Sequence, residues 1–239
     1  MSVFASSLIY GQTVEVGRFF VDNADVQAPA PWQLLRFDEA VPATVFRVIS
    51  WQGVSALEAV SEKSMALLAR PLDVNLKQTP VLCWRWWIDQ TVEQADMNSK
   101  QGDDYAARVY VTFDLPDQAL GFGTRLKLAL ARGLFGQDVP EAALNYVWDN
   151  QYPVGTEQAN AYTNRAMMRV QRSGNQQAGQ WVSERRNVMK DFMRLFNVPG
   201  AQAVQLAVTA DSDNTGGSAR ALFADLHFVS ERDTCHWSG

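Results

Sequence analysis

The stretch Thr79-Pro80-Val81-Leu82-Cys83-Trp84-Arg85-Trp86-Trp87-Ile88-Asp89 alternates with a period of two. In an extended chain Leu82, Trp84, Trp86 and Ile88 share one side, and Arg85 and Trp87 the other. Arg108-Val109-Tyr110-Val111-Thr112-Phe113-Asp114-Leu115 repeats the design. Val109, Val111, Phe113 and Leu115 form its apolar side, and Arg108, Tyr110, Thr112 and Asp114 its polar side. Strands with one buried face are the simplest solution to such a pattern.

Working outward, the same rule predicts strands at 45–49, 56–60, 144–148, 167–171, 203–209 and 221–228. Clusters of Gly, Pro, Asn and Asp separate them, as a multi-stranded sandwich requires. Residues 124–135 are rich in helix formers and predict a short surface helix. Residues 183–196 place Val188, Phe192, Leu195 and Phe196 at helical spacing behind Ser183 as a cap, and Asn197-Val198-Pro199-Gly200 ends the segment. The expectation is an all-β chain: an antiparallel jelly-roll β-sandwich with one or two short helices. It forms one domain over residues 1–239, with its core at about 16–229.

Composition narrows the function classes. The 239 residues are 47% hydrophobic, enough for one sizeable core, and carry a net charge of −5. No run of Lys and Arg offsets that charge, so nucleic acid is not an expected partner. No uninterrupted apolar stretch reaches the roughly 18 residues of a membrane span. The start of the chain lacks a basic region before its short apolar run, which makes it a poor secretory signal. Cys83 and Cys235 allow one bridge, or a buried thiol plus a loose tail thiol, and the burial habits of cysteine favour the second.

Three polar clusters carry candidate chemistry. Lys100-Gln101-Gly102-Asp103-Asp104-Tyr105-Ala106-Ala107-Arg108 sets adjacent carboxylates beside two cations. It suits a polar ligand or acid–base work, while turn chemistry favours an acidic turn paired with Arg108. Asp211-Ser212-Asp213-Asn214-Thr215-Gly216-Gly217 resembles the first half of a calcium loop, but Leu222 stands where the bidentate Glu belongs. An ordinary Asp-Asn-Gly turn accounts for it as well. Glu184, Arg186 and Asp191 read as a helix-end salt network, or Glu184 and Arg185 join the face of Arg85 and Arg108. The two histidines, His227 and His236, match no catalytic triad signature, and no His–Cys metal spacing or phosphate-binding glycine loop is present.

These residues also resemble a family of bacterial proteins, domain of unknown function 3047. The matching features are Thr79-Pro80 with Trp84-Arg85-Trp86, then Lys100-x-Gly102-Asp103-Asp104-x-Ala106-Ala107-Arg108-Val109-Tyr110-Val111. Asn145-Tyr146-Val147-Trp148, Ser173-Gly174, and Trp181 with Glu184-x-Arg186-Asn187-Val188 and Asp191-Phe192 follow. Asp211-Ser212-Asp213-Asn214-Thr215-Gly216 and Ala221-x-Phe223-x-Asp225-x-x-Phe228 complete it. The resemblance implies export to the periplasm and names no activity. Gly17-Arg18-Phe19-Phe20, Pro31-Trp32 and the last strand are similar to galactose-binding-like jelly rolls. That similarity implies a structural calcium at Asp225.

The functional expectation is a module binding a glycan or another polar small molecule. Its predicted face carries Arg85, Trp87, Arg108 and Tyr110, with Asp104, Glu184, Asp211 and Asp213 around it. The competing reading of Trp87 and Tyr110 is a second packed layer, since 8 tryptophans in one domain must mostly be structural. Two other functions stand beside it: a polysaccharide-acting enzyme using Asp103, Asp104, Glu184 or Asp211 as acid and base, and a structural domain of the cell envelope. Oligomeric state is open.

Overall fold

Alternation in the strands has its cause in two apolar sheet faces that close on each other. The computed structural model describes residues 13–21, 29–119 and 141–238; the expected helix at 124–135 lies outside them. The strands are β1 (Val14–Gly17), β2 (Gln33–Leu35), β3 (Val45–Trp51), β4 (Val54–Glu62), β5 (Leu67–Pro71), β6 (Val81–Ile88) and β7 (Tyr105–Asp114). After these come β8 (Ala142–Asp149), β9 (Glu157–Asn160), β10 (Thr163–Ser173), β11 (Val182–Asn187), the helix α1 (Val188–Phe196), β12 (Gln202–Asp211) and β13 (Ser218–Val229). Single 3₁₀ turns at Lys100–Gly102 and Asp117–Ala119 add to α1.

The first sheet runs β11-β6-β13-β4-β3, with β1 also on β13. The second runs β2-β5-β12-β7-β8-β10-β9. The pairings β4 with β13, β5 with β12 and β6 with β11 are antiparallel and nested, each closer to the middle of the chain than the last. A long hairpin rolled up on itself gives this winding, so the sandwich is a jelly roll. All described pairs are antiparallel except β8 with β10, which is parallel. Asp225, at φ 53°, marks a bulge in β13. Up to Phe223 β13 pairs with β4, and from Leu226 onward with β1.

Leu82, Trp84, Trp86 and Ile88 of β6 meet Val109, Val111 and Phe113 of β7 in the central core, as the alternation predicts. Trp84 packs on Tyr146 with ring centroids 5.5 Å apart, and Trp86 on Trp148 at 5.6 Å. Burying each such side chain contributes on the order of 1.5–3 kcal/mol. The helix begins later than the sequence spacing suggests. Residues 182–187 pair with β6 as a strand, and Asn187, not Ser183, caps α1 by accepting from the Lys190 N–H at 2.9 Å. Phe192 still fills the core, 4.1 Å from Phe113. Asn197 in the left-handed conformation closes the helix.

Cys83 and Cys235 form a disulfide, which corrects the expectation of two thiols. Strand β6 turns Cys83 outward, and the tail after β13 folds back over the first sheet to meet it. No helix among the described residues is long and apolar enough to cross a membrane.

Candidate functional site

The polar positions of β6 and β7 do not form one face, because the two strands belong to different sheets. Arg85 and Trp87 lie outside the first sheet, Arg108 and Tyr110 outside the second. Trp87 is 3% exposed and packs with Val54, Ala56, Leu222 and Ala224 beneath Trp51 and Trp181. Arg85 pairs with Asp225 and donates to the Ser238 carbonyl at 2.6 Å under the returning tail. Ser238 also bonds the Asp225 carboxylate. Both oxygens of Asp225 are thus engaged by protein donors, a poor fit to the calcium role that the jelly-roll resemblance implies. Glu184 faces inward, accepting from Trp86 Nε1 at 3.2 Å and Gln171 Nε2 at 2.7 Å and pairing with Arg172. Arg185 faces outward to the Glu231 carbonyl, so neither residue joins Arg108.

What the structure does bring together is Asp103, Arg108, Tyr110, Asp211 and Asp213, with Asp104 just behind them. Gly102 begins this arrangement: a Cβ there would stand 2.5 Å from the Asp96 backbone nitrogen. The close approach turns the chain so that both following carboxylates enter the second sheet's outer layer. Arg108 donates from Nε to Asp211 Oδ1 at 2.9 Å, and its Nη2 lies 2.6 Å from Asp211 Oδ2, a two-pronged pair at 2% exposure. Nη2 also contacts the Asp103 carboxylate at 3.4 Å, and Nη1 donates to the Tyr110 hydroxyl at 3.0 Å. Asp104 accepts from the backbone N–H groups of Asn214 and Thr215 and so pins the 211–217 turn to the β7 entrance.

Asp104, Asp211 and Asp213 offer carboxylate oxygens within 4.8 Å of one another. Their lone pairs are largely taken by Arg108, by backbone N–H groups and by the Asn214 amide, a donor set that fits protein hydrogen bonds better than a metal ion. Burial pushes the Asp211 carboxyl well up; Arg108 opposes it, and the carboxylates of Asp104, Asp103 and Asp213 add to it. Burial and then Asp104 raise the Asp213 carboxyl as well. Negative charge is in excess here.

This cluster forms one wall of a cavity of about 430 Å³ over the second sheet. Its floor is Thr112 of β7 with Ala143 and Asn145 of β8. Val41, Met65 and Leu67 make an apolar flank. Asn160, Tyr162 and Arg165, from the end of β9, the β9–β10 turn and the start of β10, close the opposite side. Phe37 and Tyr162 line it and remain 50% and 54% exposed, which places two aromatic rings at the rim.

Two groups lining the cavity keep hydrogen-bonding capacity that no described residue uses. Asn145 is 1% exposed; its Nδ2 donates to Met168 Sδ at 3.2 Å, and its Oδ1 has no partner among the described residues. Tyr110 stands directly opposite Asn145 in the β7–β8 register. Its hydroxyl accepts from Arg108, and burial raises its pKa, so it keeps a proton that no described residue accepts. Sequence reasoning missed Asn145, although a polar residue between Leu144 and Tyr146 in an expected strand was a signal that could have found it. Phe37 and Tyr162 lie in loops, and Asn160 and Arg165 at the facing ends of β9 and β10, so no strand alternation singled them out.

The fold and this cavity define a jelly-roll sandwich with a concave, partly apolar site on one outer face. The chain belongs to the DUF3047 family of proteins of unknown function, whose family model matches residues 30–227. Among solved structures it is similar to the family 11 carbohydrate-binding module of the cellulosomal cellulase Lic26A-Cel5E of Clostridium thermocellum. That match has TM-score 0.41 and 6% identity and covers 89% of this chain and 95% of that one. It is also similar to Trichoderma harzianum endoglucanase 3 from family GH12, with TM-score 0.40, 9% identity, and 94% and 99% covered. No curated protein matches. Identities this low say nothing of a ligand.

Proposed function

We propose that the cavity over the second sheet binds a carbohydrate, one sugar residue of which rests on the β7–β8 floor. The observation that carries the reading is the opposed pair of Tyr110 and Asn145, one with a hydroxyl proton to give and the other with a carbonyl to receive. A ligand hydroxyl can use both at once. An unpartnered buried carbonyl costs about 1–3 kcal/mol, which a bound hydroxyl returns. The mixed lining supports the same class: sugar rings present apolar C–H faces, and Phe37, Tyr162 and the Val41–Met65–Leu67 flank offer matching surfaces.

The geometry favours binding over hydrolysis. A glycosidase needs two carboxyl groups facing the bond it cleaves. Here Asp211 is held by Arg108, and Asp103 by Arg108 and by the Asn160 amide at 2.9 and 3.0 Å. The disulfide suits an oxidising compartment, in keeping with an exported protein. A glycan array probed with the full chain tests the proposal. Binding to a defined sugar class, lost in Asn145→Leu, supports it; a blank array, or binding unaffected by that change, refutes it.

A further inference from the structure

The carbohydrate reading leaves open which sugars, and the charge of the cavity bears on that. Carboxylates at Asp38, Asp103, Asp211 and Asp213 line it against the guanidinium groups of Arg108 and Arg165. Arg108 is spent on Asp211 and Asp103. Asp213 makes no ion pair among the described residues, and the one side chain that donates to it is the Asn214 amide at 2.9 Å. Asp104, directly behind, adds further negative charge. The second, independent pointer to a ligand is Asn145, which lines the same cavity while 1% exposed and holding an unpartnered Oδ1. It too is an acceptor. Carboxylates and that carbonyl call for a ligand rich in donors and positive in charge, and they repel uronic or sulfated sugars.

Resting on the carbohydrate reading, we infer that the site selects an amino sugar with a free, protonated amine, the ammonium at Asp213 and a ring hydroxyl between Tyr110 and Asn145. An ammonium supplies three donors, and a charge-assisted bond to a carboxylate is about twice as strong as a neutral one. Beyond burial, which is the main reason the Asp213 carboxyl is raised, the neighbouring Asp104 and Asp103 carboxylates add negative field at this point. An N-acetylated sugar lacks that charge.

Titration calorimetry at low salt and mildly acidic pH decides the matter. The probes are oligomers of glucosamine, N-acetylglucosamine and glucose, all β-1,4-linked, with oligogalacturonate as the anionic control. The glucosamine oligomer is expected to bind about tenfold more tightly than the other two, and the galacturonate not at all. Asp213→Asn should reduce that preference to about threefold or less. Asp38→Asn, on an exposed loop, supplies a second reading should the first variant fold poorly. Equal or weaker binding of the glucosamine oligomer overturns the inference and leaves the carbohydrate reading standing. So does a preference that survives both substitutions. Binding of none of these sugars by the wild-type protein, combined with a blank array, sinks both.

Discussion

Tyr110 and Asn145 are register partners across β7 and β8 on the outer side of the second sheet, and both line the same cavity. Beside them Arg108 and Asp211 are matched to each other.

Tyr110 and Asn145 should therefore separate binding from stability. Tyr110→Phe removes only the hydroxyl, and Asn145→Leu replaces an unsatisfied polar group by an apolar one of similar size. Each is expected to weaken ligand binding about tenfold. Asn145→Leu should leave stability unchanged or slightly higher, because no buried carbonyl is left unpaired. Calorimetric binding beside a thermal melt checks both; a Leu variant that binds normally would remove Asn145 from the site.

Arg108 and Asp211 should behave in the opposite way. Their two-pronged contact is buried, so removing one partner strands a charge in the outer layer. Arg108→Ala is expected to cost about 3–5 kcal/mol. Urea unfolding reads this directly, and a loss under about 1 kcal/mol would show that water reaches the pair freely.

A pH dependence follows from Glu58 on the first sheet. Burial opposes its ionisation, but Arg47 and Arg220 outweigh this and hold its carboxyl below the ordinary value of 4.5. The folded state therefore binds this proton more weakly than the unfolded chain. The stabilisation is complete above about pH 4.5 and disappears as pH falls through the depressed folded value. Glu58→Gln should flatten the loss of stability in that acidic window, as measured by melting temperature against pH. An unchanged slope would refute the assignment.

The Cys83–Cys235 disulfide ties the tail over Arg85 and Asp225. Reduction, or Cys235→Ser, is expected to cost about 2–4 kcal/mol and to open residues 230–238 to proteases. Mass spectrometry of a brief digest with and without reductant tests this. Equal cleavage would mean that His236, stacked on His227 with ring centroids 4.0 Å apart, and Ser238 hold the tail without the bridge.

Much of the fold was legible because strand alternation reports burial directly. Leu82, Trp84, Trp86 and Ile88 went inward as their spacing required. The start of α1 was misread because residues 182–187 carry polar side chains at both inward and outward positions, Glu184 among them, and only pairing with β6 makes them a strand. The site was half legible. Arg108, Tyr110, Asp211 and Asp213 do meet, whereas Arg85 and Trp87 lie on the far side of the sandwich. Period-two spacing says which residues share a strand's face but not which sheet the strand enters, and that choice is made by long-range pairing. The disulfide was obscured for a similar reason, as Cys83 and Cys235 are 152 residues apart.

The most direct test of the central claim is a backbone amide NMR titration of the full chain with the oligosaccharide that binds best on the array. Shifts are expected to concentrate at Arg108, Tyr110, Asn145, Asn160 and Tyr162, with Trp87 and Trp181 on the opposite face unmoved. Shifts centred on the first sheet, or an unperturbed spectrum at saturating sugar, would contradict it.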